Sequence, residues 1–212
     1  VSLGEGFKDM KDSQDPTNTH GKIVRINADG SIPADNPFAD GENGKPSVYS
    51  YGHRNVPGLY YDPETDTLYE TEHGPKGGDE LNLVTPGTNY GWPKITYGVN
   101  YDGTIITNKT EAEGMAQPLT YWVPSIAPSG LVMLTSDVYP GWKGDLFTGG
   151  MNGPAGLELT RIDMENGEVV GRESLFDGEY AIRDVVQGPD GHLYVATKDF
   201  DGIFRVDPVE AE

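Results

Sequence analysis

The loop 72–90 holds residue types that bind a hard cation such as calcium. Calcium takes several oxygen ligands, both carboxylate and backbone carbonyl, from a sharply bent chain. Gly74-Pro75 and Gly77-Gly78 allow the backbone to turn so that carbonyls converge, and proline adds no N–H that would repel a cation. Asp79-Glu80 adds two carboxylates. A tight turn between strands with solvated acids gives the same pattern, so the loop alone leaves both interpretations open.

Two segments that contain arginine could bind an anionic or carbonyl-bearing ligand. Arg54-Asn55 lies between Gly52 and Gly58, and its planar donor fork and amide suit a carboxylate or a quinone. Arg183-Asp184 stands directly before a predicted strand. In isolation, Arg54 could equally satisfy neighbouring loop carbonyls, and Arg183-Asp184 could be a structural ion pair.

The charge balance limits the class of partner. The 212 residues include 34 acidic and 15 basic residues, for a formal net charge of −19. Nucleic acid is disfavoured because it is bound through Lys and Arg, whereas cations are favoured; solubility alone would also explain the charge. The absence of cysteine excludes disulfides, thiolate metal sites and a cysteine nucleophile. No run of apolar residues is long enough to predict a membrane span.

A repeated pair of strands must hold these segments in place. The first strand of the pair recurs at Leu68–Thr71, Leu146–Gly149 and Leu193–Thr197, each time after a turn. The second strand follows at Glu80–Val84, Leu159–Asp163 and Gly202–Val206, and a half copy occupies residues 1–26. The pattern predicts an all-β fold, a β-propeller of four-stranded antiparallel blades. About three and a half to four blades fit into a single domain over residues 1–212, so N-terminal blades are expected to be missing.

Two stretches interrupt the repeat. Residues 27–45 predict a long surface loop, and residues 91–118 predict an insertion between blades. Long loops in compact folds are often functional. No helix is predicted, apart from a possible single turn at Glu111–Met115.

Taken together, these segments resemble the soluble PQQ-dependent aldose and glucose dehydrogenases, which are six-bladed propellers that oxidise sugars. The resemblance extends over nearly the whole chain, with several motifs in the same order. The matching segments are His20–Pro33, Gly52–Leu59, Glu72–Asn82, Asn89–Pro93 and Arg183–Thr197.

The resemblance implies PQQ as a cofactor and gives four residues a role in binding it. Arg54 and Asn55 match a pair that contacts PQQ, with the arginine polarising the reducible carbonyl of the quinone. Tyr101 matches a tyrosine that lines the cofactor site. Arg183 matches an arginine that reaches a carboxylate of PQQ.

The resemblance also implies two Ca²⁺ ions. The backbone carbonyls of Gly74 and Pro75 match ligands of the calcium that holds PQQ. The side chain of Glu80 and the backbone of Tyr90 match a second, structural calcium.

The general base of this family is a histidine on an earlier blade, upstream of the segment that matches Val1–Gly6. Loop histidines are more often surface or capping residues, and none of the four histidines of this chain is assigned as the base. The four are His20, His53, His73 and His192. We therefore expect the 212 residues alone to be inactive as a dehydrogenase. Ala181 replaces a second arginine of the family and Asn152 replaces a frequent basic residue, which weakens the expected binding of the PQQ carboxylates.

Three functions remain open at this point. The first is PQQ- and calcium-dependent oxidation of an aldose at C1 to its lactone. The second is a non-catalytic calcium-binding propeller for a carbohydrate or other ligand, and the third is a structural repeat protein. The third is the weakest, because it leaves the joint presence of the three motifs unexplained, and the first is the leading hypothesis. The first implies a small sugar substrate, an unknown electron acceptor, a monomer or homodimer, and a periplasmic or secreted location with the signal peptide outside this chain.

Overall fold

The computed structural model describes residues 1–7, 9–153, 156–198 and 202–209. Within these residues the regular structure is β-strand, apart from one short 3₁₀ helix. The strands form four antiparallel sheets of three, four, four and three strands, and in each sheet neighbours in sequence are neighbours in space. This arrangement confirms the predicted fold of about three and a half propeller blades. The assignment of residues 1–212 to one domain stays a prediction.

The sheets follow one another along the chain. The first contains β1 (Ser2–Leu3), β2 (Lys22–Val24) and β3 (Val48–Tyr51), and the second contains β4 (Gly58–Asp62), β5 (Thr67–Glu72), β6 (Asp79–Val84) and β7 (Thr120–Trp122). The third contains β8 (Pro128–Met133), β9 (Leu146–Asn152), β10 (Gly156–Glu165) and β11 (Glu168–Leu175). The fourth contains β12 (Ile182–Gln187), β13 (Leu193–Thr197) and β14 (Gly202–Arg205).

The insertion 91–118 lies within a blade and not between blades, so that part of the prediction is wrong. It leaves the second sheet after β6 and returns at β7, where Trp122 is the partner of Asp79. The fourth strand of this blade is short and follows a long irregular stretch, which hides it in the sequence. The insertion thereby stays attached to the sheet that carries the loop 72–79.

The one described helix is a 3₁₀ helix over Met10–Gln14, which the sequence did not predict. Its first turn is capped by the Asp9 side chain, which accepts a hydrogen bond from the Lys11 backbone N–H. The segment Glu111–Met115 forms only a hydrogen-bonded turn. The described part of the chain contains no helix long and apolar enough to cross a membrane.

Two apolar layers hold the central sheets together. One lies between the second and third sheets and includes Leu81, Leu146 and Ile162, which are all fully buried. The other lies between the third and fourth sheets. Full burial of each such side chain stabilises the fold by about 1.5–3 kcal/mol. These layers fix the blade ends, and the connections at those ends build the site.

Candidate functional site

Arg54 is a buried arginine in the connection between β3 and β4. Its backbone N–H donates to Glu72 Oε2 at 2.8 Å. Its Nη1 donates to the carbonyls of His73 and Gly74, both at 3.1 Å, and its Nη2 donates to the Tyr101 hydroxyl at 3.3 Å. The guanidinium is therefore held in one orientation, with the Gly74 carbonyl in contact with it.

Three aromatic rings surround the Arg54 guanidinium. Its central carbon lies 5.2 Å from the ring centre of Phe7, 5.5 Å from that of Trp92 and 5.9 Å from that of Tyr101. Together with Pro75 these residues line a cavity of about 410 Å³, which we call the Arg54 cleft. Aromatic faces stabilise a desolvated cation, and the positive charge inside the cleft suits a planar, electron-rich ligand.

Glu5 is a functional candidate that the sequence analysis missed. It is buried in the wall of the Arg54 cleft, and its backbone N–H donates to the Arg54 carbonyl at 2.9 Å. Burial raises the pKa of Glu5, although the charge of Arg54 opposes this shift. Its Oε2 has no hydrogen-bond partner within the described structure. The only signal in the sequence is an acid between Gly4 and Gly6 at the end of a strand.

The loop between β5 and β6 brings Gly74 and Pro75 to the clefts. Gly77 and Gly78 have φ angles of 83° and 77°, and a Cβ built on Gly74 would lie 2.2 Å from the Gly77 carbonyl oxygen. Glycine is thus required for the tight bend. Pro75 lines the Arg54 cleft and also a neighbouring cavity of about 700 Å³, which we call the Asn152 cleft. Tyr101 lines both clefts as well.

The carboxylates of Asp79 and Glu80 have different surroundings, whereas the loop sequence suggested that both could serve one cation. Successive residues of a strand point to opposite faces, so β6 separates the two carboxylates. Asp79 is fully buried and accepts four hydrogen bonds from backbone and hydroxyl groups. Burial raises the pKa of Asp79, and its hydrogen bond from Ser125 partly offsets this shift.

Glu80 points into a buried cluster of three carboxylates. Cross-strand pairing places Glu72 opposite Glu80 and Glu70 opposite Asn82, on one face of the sheet. The Asn82 amide donates to Glu70 Oε1 at 2.8 Å and to Glu80 Oε2 at 3.2 Å. Burial, reinforced by the charge of Glu72, raises the pKa of Glu80 to about 8 and raises the pKa of Glu70 well above its ordinary value. The cluster is electrostatically suited to a cation.

His53 and Tyr90 complete this acidic cluster. His53 is fully buried, so the expectation of a surface or capping role is wrong for it. Its Nδ1 lies 3.7 Å from Glu70 Oε1 and 3.5 Å from Glu72 Oε2, and its ring stacks on Tyr90 with 4.6 Å between ring centres. His53 Nδ1, Glu70 Oε2 and Asn82 Oδ1 have no hydrogen-bond partner within the described structure. These unsatisfied atoms and the crowded negative charge fit a bound cation.

Arg183 and Asn152 stand at the margin of the Asn152 cleft. Arg183 lies inside β12, not before it as predicted, at a register shift between Ile182 and Asp184. A bulge of this kind redirects a side chain, and Arg183 Nη1 donates to Met151 Sδ at 3.5 Å. Asn152 Nδ2 donates to the Ser125 carbonyl at 2.6 Å. Asn152 and Met151 both line the cleft.

The remaining predicted positions are less central. A Cβ built on Gly4 would lie 3.0 Å from Asn55 Oδ1, so the Asn55 amide lies against the first strand. The Asn55 carbonyl accepts a hydrogen bond from the His73 backbone N–H at 2.8 Å. Ala181 is buried. The structure therefore brings Arg54, Gly74, Pro75 and Tyr101 together, with Asn55 supporting the loop and Arg183 at the far margin.

Comparison with known proteins places the chain in a family. The sequence model of the Glucose / Sorbosone dehydrogenase family matches residues 1–205. The chain belongs to this family. That membership confirms the resemblance drawn from the sequence motifs.

Several relatives are similar over nearly all of the chain. The aldose sugar dehydrogenase YliI of Escherichia coli is 39% identical over 213 residues, which cover 98% of this chain and 56% of YliI. A crystal structure of a glucose dehydrogenase matches with a TM-score of 0.92 and 40% identity, over 99% of this chain and 60% of that one. The PQQ-bound aldose sugar dehydrogenase of Streptomyces coelicolor matches with a TM-score of 0.70 and 32% identity, over 94% and 52% of the two chains. The chain spans about half the length of the curated relatives it matches.

Proposed function

We propose that this chain forms the PQQ- and calcium-binding part of a dehydrogenase that oxidises an aldose at C1 to its lactone. The observation that carries the proposal is the Arg54 guanidinium, which is ringed by three aromatic side chains and touches the Gly74 carbonyl beside Pro75. Family membership and the PQQ-bound relative support it.

The residues of the Arg54 cleft fit PQQ and one calcium ion. PQQ is a two-electron acceptor, and calcium polarises its reactive carbonyl as a Lewis acid. Arg54 would donate to the quinone oxygen, with the rings of Trp92 and Tyr101 beside its guanidinium. The carbonyls of Gly74 and Pro75 would hold the calcium, because hard carbonyl oxygens on a bent chain are suitable ligands. Arg183 would reach a carboxylate of the cofactor from the far margin.

The acidic cluster fits the second calcium. Glu80 would supply a carboxylate ligand and Tyr90 a backbone carbonyl, as the family resemblance implies. Glu70 and Glu72 face the same space, so a cation there would neutralise three crowded carboxylates. This role is structural, since the cluster lies on the face of the sheet opposite to Asp79.

The positions of the histidines support the expectation that these 212 residues do not supply the general base, because none of the four lines the Arg54 cleft. His53 is buried in the acidic cluster, and His73 Nε2 donates to the Pro128 carbonyl at 2.5 Å. His20 pairs with Asp12. His192 pairs with Asp190. Oxidation at C1 requires a base for the hydroxyl proton while the carbon gives up a hydride.

Absence of turnover by the isolated chain is directly measurable. The chain is loaded with PQQ and calcium, supplied with glucose and a dye acceptor, and compared with the E. coli relative as a positive control. We expect no reduction of the dye by the chain alone. Rapid reduction would show that a group within these residues acts as the base.

A second candidate function is a calcium-binding propeller that binds a carbohydrate without oxidising it. Asn152 favours it, because its amide is engaged with the Ser125 carbonyl and offers no positive charge to a cofactor carboxylate. Ala181 likewise offers none. Calcium-dependent binding of PQQ separates the two functions, since only a dehydrogenase needs the quinone.

The test of the proposal is a titration of the calcium-stripped chain with PQQ, with and without calcium, followed by the quinone absorbance. We expect binding only with calcium, and at least about tenfold weaker binding for Arg54→Lys, because lysine lacks the planar fork. The matched control is Arg25→Lys, which changes an arginine paired with Asp35 outside both clefts. Equal binding by Arg54→Lys and the wild type would contradict the proposal.

The proposal also carries expectations about partners and location. The substrate is a small sugar, the electron acceptor is unidentified, and the assembly is a monomer or homodimer in the periplasm or outside the cell.

A further inference from the structure

We propose that Asp79 is a positioning residue that ties the loop carrying the calcium-binding carbonyl of Gly74 to the segment 125–127 of the Asn152 cleft. This inference rests on the proposed function, because it concerns the same cation site. Asp79 lies outside the lining of both clefts, so it would contact neither PQQ nor calcium and would act through the groups that it binds.

The two oxygens of the Asp79 carboxylate accept hydrogen bonds from two different segments of the chain. Oδ1 accepts a hydrogen bond from the Gly74 backbone N–H at 2.9 Å. Oδ2 accepts from the Ser125 hydroxyl at 2.7 Å and from the backbone N–H groups of Ile126 and Ala127 at 2.8 and 3.0 Å. Gly74, Ser125 and Ala127 all line the Asn152 cleft, the first from the loop between β5 and β6 and the other two from the connection between β7 and β8. One buried carboxylate thus joins two segments of the cleft lining.

Asp79 also fixes the orientation of the peptide bond between His73 and Gly74. In a trans peptide the N–H and C=O groups point in opposite directions within one plane. Here the N–H points to Asp79, and the carbonyl of His73 accepts from Arg54 Nη1. A negative and a positive side chain therefore clamp one peptide from its two sides. The next carbonyl along the chain, that of Gly74, would bind calcium and is itself held by a hydrogen bond from Arg54 Nη1 at 3.1 Å.

The segment 125–127 needs this support because its backbone conformation is unfavourable without it. Ala127 has a φ angle of 51°, in the left-handed region that non-glycine residues seldom adopt. Its N–H bonds to both Asp79 Oδ2 and Ser125 Oγ. Loss of the carboxylate would release the turn as well as the loop, so the effect on binding would exceed that of a lost surface contact.

The variant Asp79→Asn removes selectively the hydrogen bond that the Gly74 N–H donates to Asp79 Oδ1. Its single carbonyl oxygen can keep the three donors of residues 125–127, but its NH₂ group then faces the Gly74 N–H and cannot accept from it. We expect Asp79→Asn to weaken calcium binding in the presence of PQQ by about 10- to 100-fold, as losses of supporting groups around metal ligands do. Binding is measured by calorimetry well below the melting temperature of each variant.

The matched control is Asp145→Asn. Asp145 is a similarly buried aspartate that pairs with Arg161 at 2.6 Å and accepts from the Met164 N–H, at the end of β9 away from Asn152. The Asp145→Asn variant should have a lower melting temperature than the wild type but the same dissociation constant for calcium. If Asp79→Asn does not fold, Ser125→Ala removes one donor to the same carboxylate and should weaken calcium binding by about two- to tenfold.

The outcomes distinguish this inference from the proposed function. If the wild type binds PQQ with calcium and Asp79→Asn (or Ser125→Ala in its place) weakens binding while Asp145→Asn does not, the inference holds. If the wild type binds and the Asp79 and Ser125 variants bind equally well, the inference is wrong and the proposed function stands. If the wild type does not bind, both are overturned.

Discussion

At the scale of single residues, the acidic cluster of Glu70, Glu72 and Glu80 crowds three carboxylates into one buried space. Three carboxylates share one buried space with Asn82, and their mutual repulsion adds to the cost of desolvation. Proteins neutralise such groups by protonation or by a bound cation. Both ways of neutralising the charge predict that the stability of the fold depends measurably on pH and on calcium.

The calcium-stripped chain should lose stability as the pH rises. Burial raises the pKa of Glu80 from 4.5 to about 8, so the folded state binds this proton more tightly than the unfolded state does. The stabilisation is complete below pH 4.5 and is lost as the pH rises through about 8. We expect a decrease in the unfolding free energy on the order of 1 kcal/mol per pH unit in this window, measured by urea unfolding. A rise in stability across the window without calcium would contradict this assignment.

Bound calcium should turn the destabilising effect of the ionised acidic cluster on the fold into a stabilising one. Glu80→Gln should remove most of this stabilisation by calcium. At a calcium concentration of about 100 times the dissociation constant, binding stabilises the wild type by ~2.7 kcal/mol, or about 5–10 °C in melting temperature. In Glu80→Gln the gain should be much smaller, while the calcium-free protein should melt no lower than the wild type because one like charge is gone. Glu64→Gln, an exposed acid, is the control. An equal calcium shift in Glu80→Gln and the wild type would place the cation elsewhere.

The structure brings together several residues that the sequence singled out, whereas other residues beside them were missed. Arg54, Gly74, Pro75 and Tyr101 meet in space although Arg54 and Tyr101 are far apart in sequence, and only a family resemblance could have paired them. Glu70 and Glu72 alternate along one strand, which signals a shared face, but their pairing with Glu80 needs the register of the β5–β6 hairpin. Residue type alone also could not show that Asp79 accepts from N–H groups while Glu80 faces the acidic cluster.

At the scale of elements, the β5–β6 hairpin supports both proposed cation sites. Its connecting loop carries Gly74 and Pro75, one face carries the acidic cluster, and the other carries Asp79 against the third sheet. Alternation along β6 explains how adjacent carboxylates serve different sites. The recurring strand pairs were predictable from apolar alternation and turn residues. β7 was not, because three residues after a long insertion give no periodic signal.

The loop that carries Phe7 and Met10 into the Arg54 cleft depends on Lys22 of β2. Lys22 is fully buried, and its Nζ donates to the carbonyls of Asp12, Ser13 and His20 at 2.9, 3.0 and 2.5 Å. Burial lowers the pKa of Lys22 to about 8.

Lys22→Met should therefore leave three carbonyls without their donor and loosen the wall of the cleft. We expect a loss of about 2–4 kcal/mol in the unfolding free energy and weaker PQQ binding. Lys143→Met is the control, because Lys143 pairs with Asp137 on the surface and such pairs contribute about 0–1 kcal/mol. Equal effects of the two variants in urea unfolding would show that Lys22 does not anchor the loop.

At the scale of the whole molecule, four successive sheets place the clefts at one set of blade ends. The strand content and the number of blades were predictable because each blade repeats the same two apolar strands. The location of the insertion within a blade was not, since sequence spacing does not reveal which sheet a returning strand joins. Val186 and Ile203 stand half or more exposed on one face of the last sheet. This apolar face would favour association of the isolated chain at high concentration.

We propose that one hairpin organises a PQQ–calcium site and a separate structural calcium site. The decisive measurement is a crystal structure of the chain with PQQ and calcium, in which anomalous scattering locates the calcium. We expect one cation on the carbonyls of Gly74 and Pro75 with PQQ against Arg54, and a second among Glu70, Glu72 and Glu80, each with oxygens at about 2.3–2.6 Å. PQQ bound away from Arg54, or an acidic cluster that stays free of calcium, would contradict it.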